Sequence, residues 1–264
     1  MEEWRSYKMA MTKKEIYAKH GINYDNKADK IEFHGIWVKP LLKQGNSKVG
    51  KRVYTFSMPA GTDGTCICDC KGCYAKSGHY KRENVKACYR LHQCIVETDI
   101  NWFIHAILAQ LETIGSGVVR IHASGDFNTK NSMEYFQAWK IIISSAPSFL
   151  FWTYTKMSQY ENGFDGLENA NIVKSIIDGI GINYGHCGYI IDTYKALKKR
   201  GAIVYICRCG IDKNQHCENC HHCAESEFVL FVEHSTEYKA EKDPRYNELV
   251  ALIESQDMEG GAVA

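Results

Sequence analysis

Six short apolar runs govern what this chain can fold into: VYTFSM (53–58), VVRIH (118–122), FLFWTYT (149–155), NIVKSII (171–177), AIVYIC (202–207) and FVLFV (228–232). They are rich in β-branched and aromatic residues and show little polar alternation, as strands buried on both faces do. Helical signals lie between and around them. Thr12 and Glu15 are spaced as a capping box for a helix over 12–20, with Gly21 as its stop. Residues 80–115 read as one long helix or two consecutive ones, closed by Gly115. Over 131–145, helical spacing predicts that Met133, Phe136, Trp139, Ile142 and Ile143 share one side. A helix over 189–200 ends in Lys-Lys-Arg before Gly201, which suits its dipole, and another closes the chain over 243–255.

Strands alternating with helices predict βαβ units and a parallel sheet. The expected fold class is α/β, a partial TIM-like (β/α)6 barrel with a cysteine-rich C-terminal segment. Its expected organisation is an N-terminal extension (1–50), the barrel with a first cysteine cluster (51–206), and a segment packed on it (207–264). Chemically rich residues follow the strands: cysteines after 53–58, SGDF after 118–122, YTK in and after 149–155, and more cysteines after 202–207. Ligands of parallel α/β folds bind at the carboxyl ends of strands, so these four loops are expected to converge on one face.

Composition narrows the setting. Of 264 residues, 45% are hydrophobic and 24% charged, enough to bury a core. A net charge of +1 gives no global field for nucleic acid or an anionic membrane. No apolar run is long enough to span a bilayer, since IIISSAPSFLFW is interrupted. The opening MEEWRSYKMAMTKKEIYAKHG is charged and lacks the apolar core of a secretory signal. A cytoplasmic location is therefore expected. In a reducing compartment the 12 cysteines are mostly free thiols or ligands.

The densest cysteines are in TCICDCKGCYA, where Cys66, Cys70 and Cys73 form C-x3-C-x2-C around Cys68. Cysteines one or two residues apart pair poorly as disulfides. Three thiolates on a tight loop can hold three corners of a [4Fe–4S] cube and leave one iron open, whereas structural zinc favours two separate knuckles. Further on, ICRCGIDKNQHCENCHHCAE supplies Cys207, Cys209, Cys217, Cys220 and Cys223. Its C-x2-C-x2-C run with Cys207 suits a complete [4Fe–4S] cluster; zinc is the alternative there, with His216, His221 or His222 as other donors.

C-x3-C-x2-C after the first strand of a partial barrel resembles the radical S-adenosylmethionine superfamily. That resemblance implies S-adenosylmethionine on the open iron, cleaved by a reduced cluster to give a radical that abstracts hydrogen from a substrate. It also implies a pocket lined by Ser124, Gly125 and Asp126, in the place of a Gly-Gly-Glu-like motif, and by Thr155 in Thr153-Tyr-Thr-Lys156. Tyr74, which follows the last cysteine where the superfamily's aromatic precedes it, is counted with that pocket. Over most of the chain a closer resemblance is carried by GNSKVGKRVYTFSMPAG, TC…C…CYA, HASGDF, Tyr135 with Trp139, FWTYTK and the cysteine-rich end. This combination is similar to the phage and prophage gene product 88 family. Relative to that pattern Cys68 and Cys209 are extra.

Other residues have plainer readings. Cys88 and Cys94, six apart in a helical stretch, are expected as small buried side chains, Cys187 as an isolated residue that is not a ligand, and His122 as a core histidine or a substrate contact. Asp126 is a pocket carboxylate or an N-cap, and Lys156 an anion contact or a solvated cation. Phe149, Phe151, Trp152 and Trp139 are expected in the core. Three functions follow: a radical S-adenosylmethionine-like enzyme with a redox partner as electron donor and an unidentified substrate; an electron carrier or redox sensor with Cys68 as fourth ligand; or a zinc-stabilised binding module.

Overall fold

The structure is a computed structural model that describes residues 11–45, 49–70, 73–175, 184–208, 211–212, 215–217, 220–232 and 239–260, with only the backbone of Tyr74, of Tyr184 and of 257–260. Helix α1 (Lys13–Lys19) carries the expected capping box, with Thr12 Oγ1 accepting from Glu15 N–H and Glu15 accepting from Thr12 N–H. Three antiparallel strands follow, β1 (Tyr24–Asp25), β2 (Lys30–Phe33) and β3 (Ile36–Val38), in the order β1-β2-β3. The β2–β3 hairpin turns on His34 (φ 47°) and Gly35 (φ 85°). Two successive positive φ values match the twist of the flanking strands.

A five-stranded sheet comes next: β4 (Lys43–Gln44), β5 (Val53–Thr55), β6 (Gly117–Ile121), β7 (Phe149–Thr155) and β8 (Ala170–Lys174). β4 pairs antiparallel with β5; β5 to β8 run parallel in sequential order. The crossovers are α2 (Glu83–Thr98) with α3 (Ile100–Ile114), and α4 (Ser132–Ser145). Residues 80–115 thus hold two helices, because Asp99 ends α2 and its carboxylate caps α3 by accepting from Trp102 N–H at 2.9 Å. One face of the sheet meets these helices: Val119, Ile121, Phe149, Phe151 and Ile172 join Phe103, Ile107, Phe136 and Trp139 in one core. Tyr17, Ile31, Phe33, Leu41 and Leu42 belong to the same core, so residues before 50 help to build it.

Helix α4 is rotated from the expected setting. Phe136, Trp139, Ile142 and Ile143 are buried, whereas Met133 is 58% exposed. Steps of three residues lag a 3.6-residue turn by about 60° each, which carries the first member of the series off the stripe.

The second parallel sheet contains β9 (Tyr184–Gly185), β10 (Val204–Cys207) and β11 (Phe228–Val232), backed by α5 (Cys187–Lys199) and α6 (Tyr246–Gly260). Its order is β10-β11-β9. β5 to β8 lie in sequential order, whereas in this separate sheet the last strand lies between the two before it. Ile190, Ile191, Val204, Ile206, Leu230, Leu249 and Ile253 form its core, with Cys187 buried among them. The architecture is mixed α/β. Among the described residues no helix is long and apolar enough to cross a membrane.

Two substitutions test the setting of α4. Ile142→Ala is expected to cost about 2–5 kcal/mol, and Met133→Ala within about 0.5 kcal/mol, in urea unfolding. Comparable losses at both positions would contradict the observed rotation.

Candidate metal centres

The first cysteine loop is pinned at both ends. Strand β5 leads into Phe56 and Met58, both fully buried, and Met58 N–H donates to the Ser124 carbonyl at 2.8 Å. Thr65 is also fully buried: its N–H and hydroxyl both donate to the Pro59 carbonyl at 2.9 Å. Asp69, within the loop, accepts from Thr62 N–H (3.1 Å) and Thr62 Oγ1 (3.0 Å) and pairs with Lys76. Cys68 Sγ and Cys70 Sγ lie 3.6 Å apart. Burial pushes the Cys66 thiol up to about 12, and it raises Cys68, with the neighbouring Cys70 adding to the effect. Tyr74 begins a short 3-10 turn, Tyr74–Lys76.

Asp126 ties this loop to the neighbouring strand ends. Its own N–H donates to Thr65 Oγ1 at 3.0 Å. Its carboxylate accepts from Phe127 N–H (2.8 Å), the Thr155 hydroxyl (2.8 Å) and Lys156 N–H (3.0 Å). Asp126 and Thr155 are thus engaged with the chain's own groups, and the N-cap of α4 is Asn131 rather than Asp126. Burial raises Asp126 above the usual carboxylate range, against the downward pull of those hydrogen bonds. Ser124, 4% exposed, has a hydroxyl with no hydrogen-bond partner. Gly125 has φ 87°, and a Cβ there would lie 2.6 Å from both Met58 Cβ and Thr65 Oγ1. Only glycine lets the SGD turn approach the cysteine loop this closely.

The second cysteine group is elsewhere. Cys207, Cys217, Cys220 and Cys223 line one cavity with Trp152, Tyr205, His221 and Val229. Cys217 and Cys223 pack on Val53, Val118, Trp152 and Tyr154, on the sheet face opposite the helices. The expected convergence of four loops on one face is therefore corrected. Cys66, SGD and Thr155-Lys156 meet at the carboxyl ends of the strands, while the last loop folds back over the sheet. Asn171 holds it there, its Nδ2 donating to the carbonyls of Cys223 (2.9 Å) and Ser226 (2.8 Å). Tyr154 Oη lies 3.0 Å from Cys223 Sγ, and burial pushes that thiol up to about 12. Tyr205 stacks on His222 at 3.9 Å between ring centroids. Cys209 and part of this loop lie outside the described residues.

All eleven described cysteines are thiols, none in a disulfide. Among the described residues no three Cys, His, Asp or Glu side chains already stand at metal-binding geometry. Donor chemistry fits metal nonetheless: two groups of soft sulfur donors, the second lining one cavity, are ligands suited to iron–sulfur clusters or zinc. Cys88 and Cys94, expected to be buried, are instead exposed on α2, and they join neither group.

The family model described as gene product 88 matches residues 40–208. The chain belongs to the gene product 88 family. No curated protein and no solved structure matches it. The gene product 88 match takes in the first cysteine loop, SGD, YTK and Cys207, and ends before Cys217, Cys220 and Cys223.

Two histidines beneath the first loop are structural. His92 Nδ1–H donates to the Ser57 carbonyl at 2.8 Å, and the ring stacks on Phe56 with centroids 4.9 Å apart. His122, with φ 59°, has Nε2 2.7 Å from Tyr135 Oη and its ring edge-on to Phe127. Burial lowers His92 to about 4 and His122 to about 3, so both stay neutral in the fold. Their contribution to stability is complete above the unfolded value of about 6.5 and is lost as pH falls below it. Each is expected to remove about 2 kcal/mol between pH 6.5 and 5, above the range of most carboxylates. Urea midpoints measured across that interval check this, and His92→Gln should flatten the slope. Gly125→Ala is expected to cost about 2–4 kcal/mol, since it adds both a clash and a strained φ; a midpoint unchanged from the parent would show that the turn can move away.

Proposed function

We propose that this chain is an iron–sulfur protein with one [4Fe–4S] cluster on Cys207, Cys217, Cys220 and Cys223 and a second on Cys66, Cys70 and Cys73. The observation that carries this is the cavity: the thiol at the end of β10 and three from the loop that follows line it together. A four-cysteine set completes a cube, whereas a three-cysteine set leaves an iron open to a ligand.

We extend the reading to S-adenosylmethionine as that ligand, and to a radical S-adenosylmethionine-like redox enzyme on the partial barrel begun by β5 to β8. Cys66, Cys70 and Cys73 would hold the open-cornered cluster, which, once reduced by a redox partner, would supply an electron to the sulfonium of S-adenosylmethionine. The chain's own residues shape the pocket. The unpartnered Ser124 hydroxyl offers a hydrogen bond, and Gly125 lets the turn reach the cysteine loop. Asp126 acts as a positioning residue, holding Thr155 and the Lys156 backbone beside it. Tyr74 stands next to the last ligand.

The 3.6 Å approach of Cys68 to Cys70 favours a second reading, in which Cys68 fills the fourth position and the protein is an electron carrier or redox sensor. Iron, acid-labile sulfide and zinc per chain, on anaerobically purified protein, test the first claim. Roughly eight irons with matching sulfide are expected. Zinc without sulfide would overturn it and leave a zinc-stabilised binding module, with His221 on the same cavity as a further donor. Electron paramagnetic resonance of the reduced protein should change on adding S-adenosylmethionine, and Cys68→Ala should leave iron content unaltered. A silent spectrum together with iron loss in Cys68→Ala would select the carrier.

A further inference from the structure

Trp152 and Tyr154 lie on the same face of β7, two residues apart, and that face looks away from the helices onto the second cysteine group. Trp152 is 2% exposed and lines the cavity with the four cysteines, yet its Nε1–H has no acceptor. A buried donor left unpaired costs about 1–3 kcal/mol, so a strand that keeps an indole here in preference to an apolar ring has a use for the N–H. Tyr154 Oη is already 3.0 Å from Cys223 Sγ, with Arg120 5.3 Å above the tyrosine ring. A metal-bound thiolate carries no proton, so in that pair the hydroxyl must be the donor.

We propose that Trp152 Nε1–H and the Tyr154 hydroxyl are hydrogen-bond donors to the sulfur atoms of the cluster on Cys207, Cys217, Cys220 and Cys223, and that they set its potential. This rests on the iron–sulfur reading above. Hydrogen bonds to cluster and cysteine sulfur are among the determinants of such potentials. They draw negative charge off sulfur, favour the reduced form and raise the midpoint. Both donors are fixed in place by the register that sets Trp152 opposite Arg120 on one side and Asn171 on the other. Asn171 in turn holds the Cys223 backbone, so one strand pair fixes both donor and acceptor.

The test is redox titration of the anaerobically purified full chain, the parent beside Trp152→Phe and Tyr154→Phe, after iron and sulfide have been counted. Each variant is expected to retain both clusters and to reduce one of them less readily. The reduced-to-oxidised ratio at fixed potential should fall about tenfold, which is ~59 mV for a one-electron couple. Unchanged midpoints in variants that keep their iron would overturn the inference and leave the cluster reading standing. A parent chain without iron and sulfide would end both. Should Trp152→Phe fail to fold, the parent labelled with 15N at its indole nitrogens decides: coupling of one 15N to the reduced cluster is expected, and its absence refutes the role of Trp152.

Discussion

A buried carboxylate holds together the loops at the carboxyl ends of β5, β6 and β7. Asp126 receives two backbone N–H groups and one hydroxyl, and through its own N–H it grips Thr65. The loops that leave β5, β6 and β7 are thereby tied to one residue. A carboxyl group so deeply buried is tolerable only because the donors it meets are fixed by the fold. The cysteine loop, the SGD turn and the YTK segment inherit their relative positions from it. This knot explains why the SGD turn needs glycine in its middle: the acid cannot reach Thr65 unless the backbone passes within contact distance of Met58.

The sheet that carries this knot is used on both faces. Toward the helices it presents an apolar surface that merges with the N-terminal hairpin and α1 into one core. On the other side Val53, Val118 and Trp152 meet cysteines. Alternation along β7 makes the division: Phe149, Phe151 and Thr153 point one way, and Leu150, Trp152 and Tyr154 the other. The two sulfur groups therefore share a sheet without sharing an edge.

Much of this was legible in the sequence. Runs such as FLFWTYT and FVLFV are strands at their expected limits, because aromatic and β-branched residues fit a pleated, enclosed surface. The spacing of Cys207, Cys217, Cys220 and Cys223 identified side chains that do line one cavity. What escaped was tertiary. Strands β1 to β3 are two to four residues long and include KIEF, whose charged residues give no strand signal until Tyr24 meets Ile31 and Phe33 meets Ile36. Met133 shares an i+3 series with Trp139, yet the packed stripe turns away from it. Trp152 looked like core and is core; that its indole N–H lacks an acceptor depends on what surrounds it, which no spacing encodes. Asp126 had two readings, and only the partners of its oxygens separate them.

The order of the second sheet bears on assembly. Among the described residues β9 and β10 each pair with β11 alone, and β11 is the last of the three to be made. The order of this sheet is complete only once residues 228–232 lie between β9 and β10. Val229 on that strand is one wall of the cavity that the four cysteines line, so until then that wall is missing. Enclosure of the second cysteine group thus waits on the last strand of its own sheet.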